Sequence, residues 1–133
     1  MVATDTVVGK RYKILTKIGS GGMSEVYLAI DSSLNKQWAV KQIKNMSDAT
    51  RRDMVVRSLT VEANMIKQFD HPAIPRIVDL IEESGSLFVV MDYVEGRTLA
   101  QILKDDGPLE EDQVADISIQ LCDVLDYLHR RKP

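Results

Sequence analysis

Three glycines fall within four positions, Gly19, Gly21 and Gly22, in the stretch KIGSGGMSEVYLAI (17–30). Glycine lets a backbone approach a phosphate closely, because no Cβ stands in front of the N–H groups. Two phosphate loops are excluded by context. A Walker loop needs GxxxxGK followed by Ser or Thr, and the chain has no Gly-Lys-Ser or Gly-Lys-Thr. A dinucleotide fingerprint needs a helix after the glycines, and here EVYLAI (25–30) follows, which reads as a strand. A strand–glycines–strand hairpin remains. It is either a phosphate cover or a flexible turn with no ligand.

Two charges bear on that choice. In QWAVKQI (37–43), alternation puts Lys41 on one face with Ala39 and Ile43. Farther along, Glu62 falls inside an apolar helical stripe of Val55, Leu59, Ile66 and Phe69. A lone charge on each of two apolar faces is costly unless the two meet, so the pattern predicts a Lys41–Glu62 ion pair. A lysine held under a glycine hairpin would aim its ammonium at phosphate oxygens. The bland alternative is that Lys41 snorkels to a strand edge and Glu62 lies on the rim of its helix.

The elements that position these residues form a β-rich part followed by a helical part. YKILTKI (12–18), EVYLAI (25–30) and QWAVKQI (37–43) predict three antiparallel strands, with DSSLNK (31–36) as a turn. A helix follows, opened by a capping box at Thr50-Arg51-Arg52-Asp53 and ended before Asp70-His71-Pro72. RIVDLIEE (76–83) and LFVVMDYV (87–94) predict two more strands around Ser84-Gly85. Thr98-Leu99-Ala100-Gln101 caps a short helix ended by Gly107-Pro108. A last helix, about 110–130, carries the stripe Val114, Ile117, Leu121, Val124, Leu125 and Leu128. The fold class is therefore α+β, with five strands and one long helix over residues 1–93, then a hinge and two helices over 94–133.

Composition narrows the function. The 133 residues, 44% hydrophobic, have one ordinary domain's length. A net charge of −3 without a basic stripe argues against nucleic acid as a partner; Arg130, Arg131 and Lys132 read as a solvated helix end. The single cysteine, Cys122, rules out an internal disulfide and reads as an inert, buried thiol in a reducing compartment. No run of 18 apolar residues crosses a membrane, and the start lacks a signal-peptide pattern, so a cytoplasmic location is expected. His71 reads as a capping or packing residue before Pro72, and His129 as a solvated helix end.

The glycine loop, AVK (39–41), the helix glutamate, HPAIPRI (71–77) and VVMDYVEG (89–96) stand in one order. In these the chain resembles the protein kinase family, and within it the eukaryotic-like serine/threonine kinases of bacteria. The resemblance covers nearly the whole chain but only the first half of a kinase domain. It implies ATP as the nucleotide and a five-stranded lobe with one long helix. Gly19, Gly21 and Ser24 match the GxGxxG positions, Ser24 replacing the third glycine, with Ser20 and Gly22 between them. Val26, Ile18 and Ala39 match the apolar roof over adenine. Lys41 matches the lysine that pairs with the α- and β-phosphates and with Glu62. Met91 matches the gatekeeper; Asp92 and Val94 match the hinge; Ile66 and Ile77 match two members of the regulatory spine.

The family's catalytic-loop aspartate and its magnesium-holding Asn and Asp have no counterpart, since no HRD, DFG or APE tripeptide occurs. The resemblance thus implies the ATP-binding half of a kinase whose parent phosphorylates protein Ser/Thr with magnesium, a parent that could be membrane-anchored. The fragment itself is expected to be inactive. Two other readings are a non-catalytic, pseudokinase-like module for nucleotide or protein, and an unrelated glycine-hairpin fold. The bare stripe of the last helix further predicts a homodimer through residues 110–130.

Overall fold

The computed structural model describes residues 2–21, 24–43 and 49–131, with the side chains of 49–52 outside the description. The chain divides into two compact units, residues 1–70 with 75–94 and residues 71–74 with 95–133. The short segment 71–74, from the stretch after the long helix, belongs to the second unit.

The first unit is an antiparallel sheet and one helix. Its strands are β1 (Val7–Val8), β2 (Tyr12–Gly21), β3 (Ser24–Asp31), β4 (Lys36–Ile43), β5 (Ile77–Glu83) and β6 (Ser86–Asp92), in the order β1-β2-β3-β4-β6-β5. The five expected strands are all present. The sixth, β1, is only two residues long and pairs Val7 with Lys13 and Val8 with Tyr12. Two residues are too few to show alternation, which is why the sequence pattern does not reveal it.

The turns follow from local chemistry. Ser84 (φ 53°) and Gly85 (φ 75°) are both left-handed, the requirement of the type I′ turn that suits the twist of a two-residue hairpin. In DSSLNK, Asp31 is buried at the end of β3. Its Oδ1 accepts from Ser33 N–H at 3.1 Å and Ser33 Oγ at 2.7 Å, while Oδ2 accepts from Arg11 Nε at 2.6 Å. These bonds, from Ser33 first and Arg11 after it, hold the Asp31 carboxyl below its ordinary pKa.

One sheet face gathers Val8, Tyr12, Ile14, Tyr27, Ala29, Trp38, Val40, Phe88 and Val90 into the core. The sheet curls over this face until its two ends touch. Gly9 N–H donates to Glu83 Oε2 at 3.0 Å, and Tyr12 OH donates to Asp79 Oδ2 at 3.2 Å. Val2 packs on the same cluster, and its N–H donates to Tyr27 OH at 3.0 Å. The opposite face, with Ala39, Lys41, Ile43, Val89 and Met91, receives α1 (Ala49–Ile66). This helix includes Thr50 within its first turn; the predicted Thr50 cap lies outside the described side chains.

The second unit contains α2 (Leu99–Asp106) and α3 (Glu111–Arg130). Thr98 caps α2 as its spacing predicts: Thr98 Oγ1 accepts from Gln101 N–H at 3.1 Å, and Gln101 Oε1 accepts from Thr98 N–H at 2.7 Å. Gly107 (φ 80°) closes the helix, donating its N–H to Leu103 O at 3.0 Å. His71 accepts from Ala73 N–H at Nδ1 (3.0 Å), and its Nε2 lies 2.9 Å from Asp123 Oδ2. It also contacts the Tyr127 ring, so it caps and packs as expected. Cys122, expected to be buried, is exposed on α3. The stripe beside it is itself uncovered, with Leu121 and Leu125 about half accessible, so a position next to that stripe is not buried.

Gly9 is left-handed (φ 60°), and an added Cβ would stand 2.5 Å from Ile81 Cδ1. Gly9→Ala therefore destabilises by about 1–2 kcal/mol, mostly through the backbone since the Ile81 tip can swing aside, as a shift in urea midpoint will show. Stability also depends on Asp31. Its lowered pKa means that the unfolded chain binds its proton more readily. The contribution is full above about pH 4 and is lost as pH falls through the depressed folded value. Asp31→Asn removes that part of the acid dependence from a pH series of urea titrations.

Candidate functional site

β4 occupies the middle of the sheet, paired with β3 on one side and β6 on the other. A single row across the sheet reads Gly19, Val26, Lys41, Val89. The next row along the same face reads Leu28, Ala39, Met91, Ile77. Directly opposed residues share a face, as do residues two apart, so register alone brings Val26, Ala39, Lys41 and Met91 together. Ala39 is buried; Val26, Lys41 and Met91 are half-buried.

The glycine hairpin continues this sheet. Gly19 pairs with Val26, Ser20 with Glu25, and Gly21 with Ser24; Gly22 lies outside the described residues. Neither Gly19 nor Gly21 has a positive φ. A Cβ on Gly21 would meet nothing within 4 Å, and one on Gly19 would meet only Val26 Cβ at 3.9 Å. Neither backbone strain nor internal packing demands glycine here, in contrast to Gly9. Ile18 is the extra residue in a bulge between Lys17 and Gly19 and is exposed. A bulge breaks the alternation and re-aims the side chain it carries.

Between β4, β6 and α1 lies a cavity of about 180 Å³, lined by Lys41, Ile43, Leu59, Glu62, Ala63, Ile66, Ile77, Val89 and Met91. Lys41 and Glu62 thus face one space, and Glu62 shares its helix face with Leu59 and Ile66. The expected ion pair is not formed: no ion pair joins the two among the described residues. Glu62 is exposed and Lys41 only half-buried. Both charges keep water, so the desolvation cost that would force them together is not incurred. Ala63, which the stripe omits, is the residue of α1 that is buried among those described.

The two residues expected at the hinge lie at the end of β6 and just past it. Val94 is exposed, and Asp92 is tied to Arg76, a residue the sequence reading passes over. Arg76 Nε donates to Asp92 Oδ2 at 3.1 Å and Nη2 donates to Oδ1 at 3.2 Å. Arg76 N–H donates to Asp92 Oδ2 at 2.8 Å, and Asp92 N–H to Arg76 O at 2.9 Å. Hydrogen bonding from Arg76 is the main reason the Asp92 carboxyl sits below its ordinary pKa. Plain counting outward from the Ser84-Gly85 turn would place Asp92 opposite Ile77. A bulge at Val78 shifts the register by one, so that Ile77 meets Met91 and Arg76 meets Asp92. That bulge carries no sequence signal strong enough to be read in advance.

Among the described residues, no group of three or more His, Cys, Asp or Glu could hold a metal ion. No described helix is long and apolar enough to cross a membrane.

A strand–glycine–strand hairpin, a central-strand lysine facing a helix glutamate, and a hinge after the last strand define a protein kinase amino-terminal lobe. The protein kinase domain family matches residues 12–132, and the chain belongs to it. Among curated proteins it is similar to the serine/threonine-protein kinase PrkC of Bacillus subtilis, 35% identical over 125 residues that cover 94% of this chain and 19% of PrkC. It is also similar to PknB of Mycobacterium leprae, 32% identical over 133 residues, 97% of this chain and 21% of that protein. The chain spans about a fifth of the length of these relatives. Among solved structures it resembles the PknI kinase domain of M. tuberculosis (TM-score 0.81, 27% identity, 98% of this chain and 52% of that one). It likewise resembles Rad53 1–466 in complex with AMP-PNP (TM-score 0.75, 29% identity, 90% and 30%). Its residues correspond to the amino-terminal part of a kinase domain.

Since Glu62 is exposed and unpaired with Lys41, Glu62→Gln changes the stability of the free chain by no more than about 0.5 kcal/mol. Parallel urea titrations of the two proteins check this.

Proposed function

We propose that this chain is the ATP-binding half of a protein serine/threonine kinase whose parent transfers the γ-phosphoryl group of ATP to protein Ser or Thr. The observation that carries the reading is the shared sheet face on which Gly19, Val26, Ala39, Lys41 and Met91 stand in register. Glycines at 19 and 21 that nothing inside the chain requires leave their N–H groups approachable by phosphate. Val26 and Ala39, with Ile18, offer an apolar surface to adenine, and Met91 bounds its depth. The backbone of Asp92 and Val94 offers hydrogen bonds to the adenine edge.

In this reading Lys41 positions the α- and β-phosphates, and Glu62 steadies Lys41 when the two close across their shared cavity. Magnesium, when bound, neutralises charge on the β- and γ-oxygens; the described residues do not supply its ligands. Phosphoryl transfer is mainly positioning and electrostatic stabilisation, and the aspartate that accepts the substrate proton has no counterpart in the 133 residues. The chain alone therefore binds nucleotide weakly and transfers no phosphate. The half-exposed stripe of α3, with Val114, Leu121 and Leu125 each about half accessible, supports pairing with a second copy.

Calorimetry with ATP and magnesium, beside a phosphotransfer assay on a generic protein substrate, tests the reading. The expected result is a dissociation constant above about 10 μM, consistent with partial enclosure of the ligand, weakened further by Lys41→Met, and no turnover. Turnover that survives repurification and vanishes in Lys41→Met overturns the inactivity. No nucleotide binding at all favours the non-catalytic protein-binding module instead. Light scattering on the wild type and on Leu121→Glu tests the pairing; a monomeric wild type removes it.

A further inference from the structure

We propose that Arg76 is a positioning residue for the hinge: its forked ion pair with Asp92 fixes the backbone that meets the adenine edge. The inference rests on the nucleotide reading above and names the group that holds its hinge in place.

The sheet ends where the hinge begins. β6 stops at Asp92, and β5, its partner, lies at the sheet's edge. The bulge at Val78 interrupts their ladder just before that end. Past the bulge the strands are joined by the Ile77–Met91 pairing and the Asp92 N–H to Arg76 O bond. Strand ends so thinly held open with little free-energy cost. The side chains add three bonds at this point: the two arms of the guanidinium fork and the Arg76 N–H, all to the Asp92 carboxylate. Charge-assisted, bidentate bonds are stronger and more directional than neutral ones. Their effect is to pin Asp92 at its backbone and at its side chain together. The backbone that carries the Asp92 carbonyl and, two residues on, the Val94 amide then leaves the sheet from a fixed point.

The pair is not explained as surface decoration. The Arg76 side chain is mostly accessible, but Asp92 is three-quarters covered. The carboxylate also takes the Arg76 backbone N–H, a bond that a mobile surface pair would not hold. A guanidinium is needed because its planar fork reaches both carboxylate oxygens at once, which an ammonium cannot do.

The test uses adenosine as the probe, because it carries no phosphate and so does not engage the backbone N–H groups of Gly19 and Gly21 or the Lys41 ammonium. Wild type, Arg76→Ala, Arg76→Lys and Asp92→Asn are compared, with Lys13→Ala as a control that breaks the exposed Lys13–Asp5 pair on the same sheet. Backbone NMR reads amide exchange without ligand, and shift titration reads adenosine affinity. Arg76→Ala and Asp92→Asn are expected to speed exchange at residues 92–94 relative to 87–90, and to weaken adenosine by about tenfold. Arg76→Lys falls between them and the wild type, and Lys13→Ala changes neither readout. Unchanged affinity in Arg76→Ala, or exchange that rises equally along β6, overturns the inference while the wild type's adenosine binding keeps the nucleotide reading intact. A wild type that binds no adenosine overturns that reading, and the inference falls with it.

Discussion

The first unit depends on the closure of its sheet upon itself. Six antiparallel strands with a two-residue edge could lie open, leaving Tyr12, Tyr27, Trp38 and Phe88 on a wet face. Instead the segment around Gly9 and Tyr12 is carried over to β5, where Glu83 and Asp79 receive it. The left-handed Gly9 permits the approach to Ile81, and Val2 covers the remaining core. A buried aliphatic or aromatic side chain is worth about 1.5–3 kcal/mol relative to exposure, so a nine-residue core requires this closure more than any single hydrogen bond does. Once one face is filled, β4 has only its other face to offer. Lys41 stands there because of the pleat.

That second face is held differently. Among the described residues of α1, Ala63 alone is buried, while Leu59 and Ile66 are partly accessible beside an open cavity. Elements with few buried apolar contacts sit at the low end of the local stability range. The contrast explains the Lys41–Glu62 result. Both residues face the same space, so the pairing geometry is laid out by strand and helix. Glu62 is exposed and Lys41 only half-buried, and charges that remain accessible to solvent gain little by meeting.

Much of this was legible in the sequence because it rests on short-range rules. Alternation gives the face shared by Ala39 and Lys41, and Ser84-Gly85 gives a hairpin. Thr98 with Gln101 gives a helix start, and the spacing of Leu59, Glu62 and Ile66 gives one helix face. What escaped depends on departures from period. The bulges near Leu15, Ile18 and Val78 each shift register by one, and the last of them turns Arg76 toward Asp92. β1 is shorter than any repeat, and the left-handed Gly9 sits against Ile81, 72 residues later in the chain. The exposure of Glu62 and of Cys122 depends on how much space neighbouring elements leave, which no local pattern encodes.

The two glycine settings show how far physical reading extends toward function. Gly9 is demanded from inside: positive φ and a side chain 2.5 Å from its missing Cβ. Gly19 and Gly21 are demanded by neither, and the Cβ of an alanine at either position would fit the bare chain. Alanine in place of either would gain stability by restricting the unfolded chain, by about 0.4–1 kcal/mol where the backbone tolerates it. In the proposed reading, a glycine pair that forgoes that stability, with Gly19 in the same row as half-buried Lys41, serves a ligand that comes close to the backbone. The same accounting joins the hinge to the loop. At one end of the face the glycines stay within the ladder, while at the other a bulge interrupts it. The Arg76–Asp92 pair stands just past that bulge, and in the proposed reading it holds the backbone that meets adenine.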